Sequence, residues 1–267
     1  MSKKYKGKLC VYCTEDKSAT ADHVIAREFF REDQRGNFPK VPACRKCNGK
    51  KSALEHYLTT ILPFGGRHPD ALVNLSTMVP KRLQGNAKLR AKLSVGFEES
   101  ALIVQTPTGN WERTASIPID HVPLEQLFAF IARGLAWHHW GVLLGPGYSA
   151  IAAVLSDAGT EFIDHFLFAR KSRNHVNVTL GHDTFIYEGL QAIDDDRLTA
   201  WRFLIYGGVS FGGDPKLPGH RGSQIVAVTG PNALIQRLEA TVFSEGKSAT
   251  GPNEVRDDGC VKADISG

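Results

Sequence analysis

The sequence predicts an α+β fold, in which a small cysteine-containing module precedes a larger α+β domain and a disordered C-terminal tail. Three observations support this prediction. Four of the five cysteines of the 267-residue chain stand in two C-x-x-C pairs near its beginning. Segments with helical periodicity then alternate with runs of β-branched and aromatic residues. From Ser244 onward the chain has no aromatic residue and much Gly, Ser, Asp and Lys, a composition typical of disorder.

Changes in composition predict the domain organisation. Residues 1–62 are expected to form the first module, and residues 63–90, where Pro, Gly and charged residues are mixed, a linker. Residues 91–243 are expected to form a second α+β domain of unknown role, and residues 244–267 the tail. A chain of 267 residues is long enough for one large domain or for such a pair.

The first module is predicted to contain one strand and one long helix. Residues 1–8 form a loose basic arm, and residues 9–14 form a tight turn around the first cysteine pair. Residues 20–25 favour a short strand, whereas residues 26–40 form a polar loop. Residues 45–62 favour a helix, because their apolar side chains recur with helical spacing before a proline and two glycines.

Helices and strands also alternate in the predicted second domain. In chain order we expect strands within 91–119 with a hairpin turn at Thr108-Gly109-Asn110, a helix over 123–140, a helical region over 148–169, strands within 175–190 and 201–229, and a short helix over 231–239.

The net charge of the chain is +4, and its distribution is uneven. Residues 1–56 contain 13 Lys or Arg and 7 Asp or Glu, whereas the rest of the chain contains 19 and 21. This positive excess around the cysteines fits a phosphate-rich partner. The four lysines of residues 3–8 are better explained as a solvated tail.

The sequence predicts neither a membrane span nor a secretory signal. It has no run of about 18 uninterrupted apolar residues, and no apolar segment follows its basic start. We therefore expect a cytoplasmic location. In a reducing compartment, cysteine pairs bind metal more often than they form disulfides.

The two cysteine pairs predict a structural zinc site. Zinc in such sites takes four ligands in a tetrahedron, and each C-x-x-C turn supplies two of them. The predicted ligands are Cys10, Cys13, Cys44 and Cys47. The alternative is four unrelated buried cysteines. Cys260 lies outside this pattern in the predicted tail and is not expected to bind zinc.

Between and after the cysteines, the sequence resembles the zinc-stabilised HNH endonucleases. The resemblance covers residues 9–55 and consists of C-x-x-C, then Asp22-His23-Val24, then V-P-x-C-x-x-C-N-x-x-K over residues 41–51. It implies a ββα-metal unit within a treble-clef zinc fold. Pro39 stands where this family usually has its middle asparagine, and Asn37 is the possible orienting residue in its place.

The resemblance also implies roles for single residues. His23 corresponds to the general base, and Asp22 and Asn48 correspond to the ligands of a catalytic Mg²⁺ or Mn²⁺. Both ligands offer the hard oxygen atoms that Mg²⁺ prefers, and a histidine with a pKa near about 6.5 can deprotonate water at neutral pH. Lys51 corresponds to a phosphate contact, and the basic residues beside it are expected to bind further phosphates: Arg45, Lys46 and Lys50.

Other polar groups favour ordinary structural explanations. Glu55, His56 and Ser52 follow Asn48 on the predicted helix but are not expected to bind the ion. Residues 137–140, W-H-H-W, could stack nucleic-acid bases, but packing at a helix end explains them better. Residues 194–196, three aspartates, favour a solvated turn, and no glycine-rich phosphate loop or G-x-S-x-G element is present.

The predicted function is metal-dependent hydrolysis of DNA phosphodiester bonds, with DNA as the partner and with a possible homodimer formed through the second domain. Three alternatives stay open. The first is a non-catalytic zinc module that binds nucleic acid or protein, and the second is an RNA-directed nuclease. In the third, the second domain has the main activity.

Overall fold

The structure is a computed structural model, and it describes residues 4–99, 101–105, 111–115, 117, 119–155, 157–169, 171–209, 211 and 224–241. It is an α+β fold, as predicted. Among the described helices, none combines the length and the apolar composition that crossing a bilayer requires. The predicted tail with Cys260 and the predicted turn at 108–110 lie outside the described residues.

The N-terminal part is a ββα unit. Strand β1 (Thr20–His23) pairs antiparallel with β2 (Lys40–Ala43), and helix α1 (Arg45–Ile61) follows directly. The predicted strand and long helix are therefore confirmed to within two residues at each end. The structure adds β2, which the sequence did not predict because K-V-P-A is short and contains a proline.

Two further helices follow α1. A 3₁₀ turn (Leu62–Gly65) leads into α2 (Pro69–Gly85) and then α3 (Ala87–Glu99). Residues 63–90, expected as a linker, thus contain α2 and the start of α3. Pro69 stands at the first helical position, where proline is tolerated, so its presence did not mark the end of a regular element.

The strands of the predicted second domain form a hairpin and a five-stranded sheet. Strand β3 (Ala101–Gln105) pairs with β4 (Trp111–Ala115). The sheet is antiparallel in the order β5-β9-β8-β7-β6, and its strands are β5 (Tyr148–Leu155), β6 (Asn174–Leu180), β7 (Phe185–Gln191), β8 (Thr199–Ile205) and β9 (Gln224–Pro231).

The predicted helical region over 148–169 is wrong for its first half. Residues 148–155 form β5, which pairs with β9 along its whole length. Ala152 packs in one hydrophobic cluster, whereas Ala153 and Leu155 pack in another. Because apolar clusters cover both faces of β5, the run lacks the alternation of apolar and polar residues that marks a half-buried strand. Periodicity therefore could not separate a strand from a helix here. Helix α5 (Asp157–Ile163) and a π-helical turn (Asp164–Phe168) follow.

Helix α4 (His121–Trp140) joins the ββα unit to the sheet. It contacts α1 and β2 on one side and β5, β8 and β9 on the other. A Cβ atom on Gly134 would lie 2.7 Å from Cγ1 of Val24, so α4 packs directly against the residue after β1. The short helix α6 (Asn232–Thr241) confirms the last predicted helix and packs near β5 and β9.

Candidate functional site

The four predicted zinc ligands form one cluster. The Sγ atoms of Cys10, Cys13, Cys44 and Cys47 all lie within 4.8 Å of one another, and all four thiols are free. A tetrahedral zinc site with metal–sulfur distances of about 2.3 Å has sulfur–sulfur edges of about 3.8 Å. The cluster is therefore compact enough to hold a metal ion such as zinc.

Local hydrogen bonds shape the cluster. The Thr14 amide donates to the Cys10 carbonyl at 2.9 Å, which closes the first turn, and Thr14 itself has a left-handed φ of 57°. The Cys47 amide donates to Cys44 Sγ at 3.4 Å, so the second pair caps the start of α1. A helix N-terminus favours a thiolate at this position.

The thiols differ in acidity. Burial raises the pKa of Cys13, but hydrogen bonds from the backbone of Asp16 and Glu15 outweigh it and leave this pKa lowered. Burial and the neighbouring sulfur of Cys44 raise the pKa of Cys47. Four adjacent thiols resist joint ionisation unless a cation compensates their charge, as a bound metal ion does.

Arg133 of α4 is a neighbour of the cluster that sequence reasoning missed. Its guanidinium donates to the Tyr12 carbonyl at 2.8 Å, between the first two cysteines in the chain. Burial lowers the pKa of Arg133, while the sulfurs of Cys47 and Cys13 raise it. A partly buried positive charge beside these sulfurs offsets part of the negative charge that four thiolates would bring.

His23 is the last residue of β1, and its imidazole is half-buried. The imidazole forms no hydrogen bond with any residue that the structure describes, although the His23 carbonyl accepts one from Lys51. Burial lowers the pKa of His23, and the nearby cations Lys40 and Arg27 lower it further, against the opposite effect of Asp22. The imidazole is therefore neutral at neutral pH, which is the state that accepts a proton.

Asp22 lies in a buried polar network with Tyr12 and Lys51. Its Oδ2 accepts a hydrogen bond from the Tyr12 hydroxyl at 2.6 Å and lies 3.1 Å from Lys51 Nζ. Burial, followed by the charge of Asp22, raises the pKa of Tyr12 well above its usual value, so the hydroxyl keeps its proton. Asp22 and His23 thus point to different surroundings, as alternation along a strand requires.

Lys51 is fully buried. Its ammonium donates to the His23 carbonyl at 2.7 Å and to Glu55 Oε1, one turn further along α1. The sequence assigned Lys51 to a phosphate. The structure places it under β1 instead, where two carboxylates and one carbonyl surround it.

Glu55 is the second acidic group of this network. Burial raises its pKa to about 7, although Lys51 lowers it. The effects of Asp22 and Glu28 add to the rise. Glu55 was not expected to bind an ion together with Asn48. It instead lies beside Lys51 and within the electrostatic reach of Asp22, which helical spacing from Lys51 could have indicated.

The remaining predicted residues lie at or near the surface. Asn48 is half-buried in the first turns of α1, and its side chain forms no hydrogen bond with a described residue. Asn37 is exposed with a left-handed φ of 51°. The carbonyl of Pro39 accepts the amide of Val24 at 2.9 Å, so backbone pairing fixes the loop at this point. The predicted phosphate contacts at the start of α1 are exposed: Arg45, Lys46 and Lys50.

Packing explains the W-H-H-W segment at the end of α4. Trp140 stacks on Trp201 with 4.9 Å between ring centroids, and His139 hydrogen-bonds the Tyr187 hydroxyl at 3.0 Å. Burial, with a smaller effect of His138, lowers the pKa of His139 to about 4. His139 and Trp140 therefore pack between α4 and the sheet, whereas Trp137 packs near Tyr5 and His138 is exposed.

No family model, curated protein or solved structure matches this chain. The resemblance to HNH endonucleases therefore depends on the residues of the motif and on the geometry described above.

Proposed function

We propose that this protein is a metal-dependent endonuclease that hydrolyses DNA phosphodiester bonds, with His23 as the general base. The observation that supports it most is the state of His23: its imidazole is half-buried and neutral, it forms no hydrogen bond with a described residue, and the charges of Lys40 and Arg27 lower its pKa. This state suits a general base that faces an anionic substrate. The ββα order of the surrounding elements is the one that the resemblance implies.

We assign zinc to the four-cysteine cluster, with a structural role. The sulfur donors and their spacing suit zinc, and the cluster joins the turn before β1 to the start of α1. Zinc at this point ties the turn before β1 to the junction of β2 and α1. It supplies no catalytic group, because all four ligand positions are taken by cysteine.

In the proposed reaction His23 accepts a proton from the attacking water. Asp22 and Asn48 would hold Mg²⁺ or Mn²⁺, since both offer hard oxygen donors. When bound, such an ion neutralises charge on the phosphate and on the leaving oxygen. The donor set fits this ion, because Tyr12 and Lys51 engage Oδ2 of Asp22 and leave its other oxygen without a hydrogen bond from a described residue.

The surrounding cations would bind the substrate backbone. Lys40 and Arg27 are exposed beside His23, and the exposed basic residues at the start of α1 extend this surface: Arg45, Lys46 and Lys50. Contacts to phosphate oxygens position the nucleic acid without selecting a sequence. Lys51 has a different role in this proposal, because its buried ammonium fixes Asp22 and the backbone of His23.

A nicking assay tests the proposal. Supercoiled plasmid with Mg²⁺ or Mn²⁺ is incubated with the wild-type protein, with His23→Ala and with His56→Ala at equal zinc content. His56 is an exposed histidine on α1 and serves as the matched control. We expect cleavage by the wild type and by His56→Ala, and a loss of at least a hundredfold in His23→Ala, within the range of general-base catalysis of about 10²–10⁴. Equal cleavage by all three proteins would reject His23 as the base.

One observation favours a second candidate, a non-catalytic zinc module that binds nucleic acid. Lys51 Nζ lies 3.1 Å from Asp22 Oδ2, so its positive charge already compensates the carboxylate to which a divalent ion would bind. If this second function is correct, the wild-type protein does not cleave the plasmid with Mg²⁺ or Mn²⁺ but still retards DNA in a gel-shift assay. Competition between duplex DNA and structured RNA for this binding separates a DNA-directed from an RNA-directed protein.

A further inference from the structure

We infer that the basic surface of α2 and α3 is a second contact site for the backbone of duplex DNA. The inference rests on the proposed function, because it takes DNA as the partner of the site at His23. The exposed basic residues of this surface are Lys81, Lys88, Arg90 and Lys92.

The charge of this segment has one sign only. Between Asp70 and Glu98 the chain contains five Lys or Arg residues and no Asp or Glu. The chain as a whole contains 32 basic and 28 acidic residues, so a stretch of this length without any acid departs from its average composition. Within α2 and α3 no acidic neighbour one turn away can neutralise these cations.

The basic side chains point outward because the apolar side of α3 is buried. Leu89 and Leu93 pack against Ile61 at the end of α1. Lys88 and Lys92 flank this buried stripe one turn apart, and both are exposed. None of the four basic side chains forms a salt bridge with a residue that the structure describes. They are therefore available to an external anion.

The spacing of the two lysines suits a phosphate backbone. Side chains at positions i and i+4 of a helix are about 6 Å apart, a separation of the same order as that between neighbouring phosphates on one DNA strand. Lys88 and Lys92 can therefore contact neighbouring phosphates on one strand. Arg90 and Lys81 add long-range attraction within about 10 Å at moderate salt.

Hydrogen bonds tie this surface to the side of α1 that carries the candidate site. Arg82 of α2 donates to the Thr59 carbonyl at 2.7 Å, and the Thr59 hydroxyl donates to the Glu55 carbonyl at 2.7 Å. Glu55 contacts Lys51, which contacts Asp22. From Lys50 to Ile61, α1 rises about 17 Å, which a DNA strand running along it covers with about five nucleotides.

An anionic membrane surface is the competing partner, because three exposed apolar side chains lie on the same helices. Leu72 is 66% exposed, Val73 is 37% exposed and Val95 is 53% exposed. Leu72 and Val73 are neighbours in α2 and Val95 lies in α3, so they form one pair and one single residue, whereas a membrane-bound helix presents a continuous apolar face to the lipid. The apolar stripe of α3 is already used against Ile61. The exposed positive charge of α2 and α3, without a continuous apolar face, favours DNA over a membrane surface as the partner.

The test compares DNA affinity as a function of salt. A labelled 20-base-pair duplex is titrated with zinc-loaded full-length protein, without added Mg²⁺, from 50 to 200 mM KCl. The proteins are the wild type, Lys88→Gln/Lys92→Gln, and the control Lys171→Gln/Arg237→Gln, which removes two exposed charges at the side of the sheet. Loss of two phosphate contacts should reduce the slope of log K against log salt by about 1.8 and weaken binding about tenfold at 100 mM.

Three results would overturn the inference. They are an unchanged slope in the Lys88/Lys92 variant, an equal loss in the control, and tighter binding of the wild type to phosphatidylserine vesicles or to duplex RNA than to the DNA. The nicking assay separates this inference from the proposed function. His23-dependent nicking with an unchanged slope rejects only the α2–α3 surface. A reduced slope without any nicking rejects only the catalysis.

Discussion

Lys51 Nζ lies 3.1 Å from Asp22 Oδ2, and both groups are buried between β1 and α1. The same fully buried ammonium also donates hydrogen bonds to Glu55 Oε1 and to the His23 carbonyl. The residue that the motif assigned to a phosphate thus holds together the strand with the candidate base and the helix that follows it. Several properties of the protein depend on this pair.

Lys51→Met should destabilise the fold by about 3–5 kcal/mol, because it leaves Asp22 and Glu55 buried without a compensating charge. The free energy of unfolding is measured by urea denaturation of the zinc-loaded protein. Lys50→Met is the control, since the neighbouring lysine is exposed, and it should change stability by about 0.5 kcal/mol or less. A similar small change for both variants would show that the pair contributes little.

The stability should fall with rising pH because of Glu55. Its pKa is about 7 in the folded protein, raised by burial from 4.5, so the folded state binds more protons than the unfolded state between these values. The free energy of unfolding then decreases as the pH rises from about 4.5 to 7, by up to about 3 kcal/mol. Glu55→Gln should lack this decrease. If the free energy of unfolding has the same pH dependence in the wild type and in Glu55→Gln, the assignment of this decrease to Glu55 is wrong.

His23 should titrate below its usual range. Burial and the cations Lys40 and Arg27 lower its pKa, so the neutral imidazole and any activity that needs it persist to lower pH. In Lys40→Gln and Arg27→Gln the pKa should rise, and the acidic limb of the activity should move to higher pH. Titration of the His23 imidazole by NMR measures this directly. Lys17→Gln, a change at an exposed lysine outside this group, should leave the pKa unchanged.

Zinc binding should depend on Cys44 and not on Cys260. Cys44→Ser removes one of four clustered sulfurs, and we expect it to lower the zinc content from one ion per chain and to lose the cooperative unfolding of the ββα unit. Cys260→Ser should retain both. Elemental analysis and thermal denaturation after gel filtration measure these properties. A full zinc content in Cys44→Ser would reject the four-cysteine site.

Gly134→Ala should destabilise the contact between α4 and β1. The added Cβ would lie 2.7 Å from Cγ1 and 2.9 Å from Cγ2 of Val24, which directly follows the candidate base. We expect a loss of about 1–3 kcal/mol, with partial recovery in Gly134→Ala/Val24→Ala. Gly49→Ala in α1, where a Cβ meets nothing within 4 Å, should be neutral or stabilise by about 1 kcal/mol. Thermal denaturation of the variants compares these effects.

The sequence by itself determined the local features of this protein. The two C-x-x-C pairs indicated the cysteine cluster, because turn geometry brings two sulfurs together within three residues. Periodicity indicated α1 and α4, since both helices bury one continuous stripe. Strand β5 shows the limit of such patterns, because an apolar run that is covered on both sides carries no alternation.

Only the tertiary structure decided how the charged residues around His23 are used. A motif specifies which residue types recur, but burial depends on what packs above them, and here β1 covers Lys51 and turns it from the surface to Asp22. The pKa values of His23 and Glu55 follow from the same packing, because desolvation and charges from other segments shift them. Arg133 reaches the cysteine cluster from α4, more than 80 residues along the chain from Cys47, and no local pattern could have placed it there.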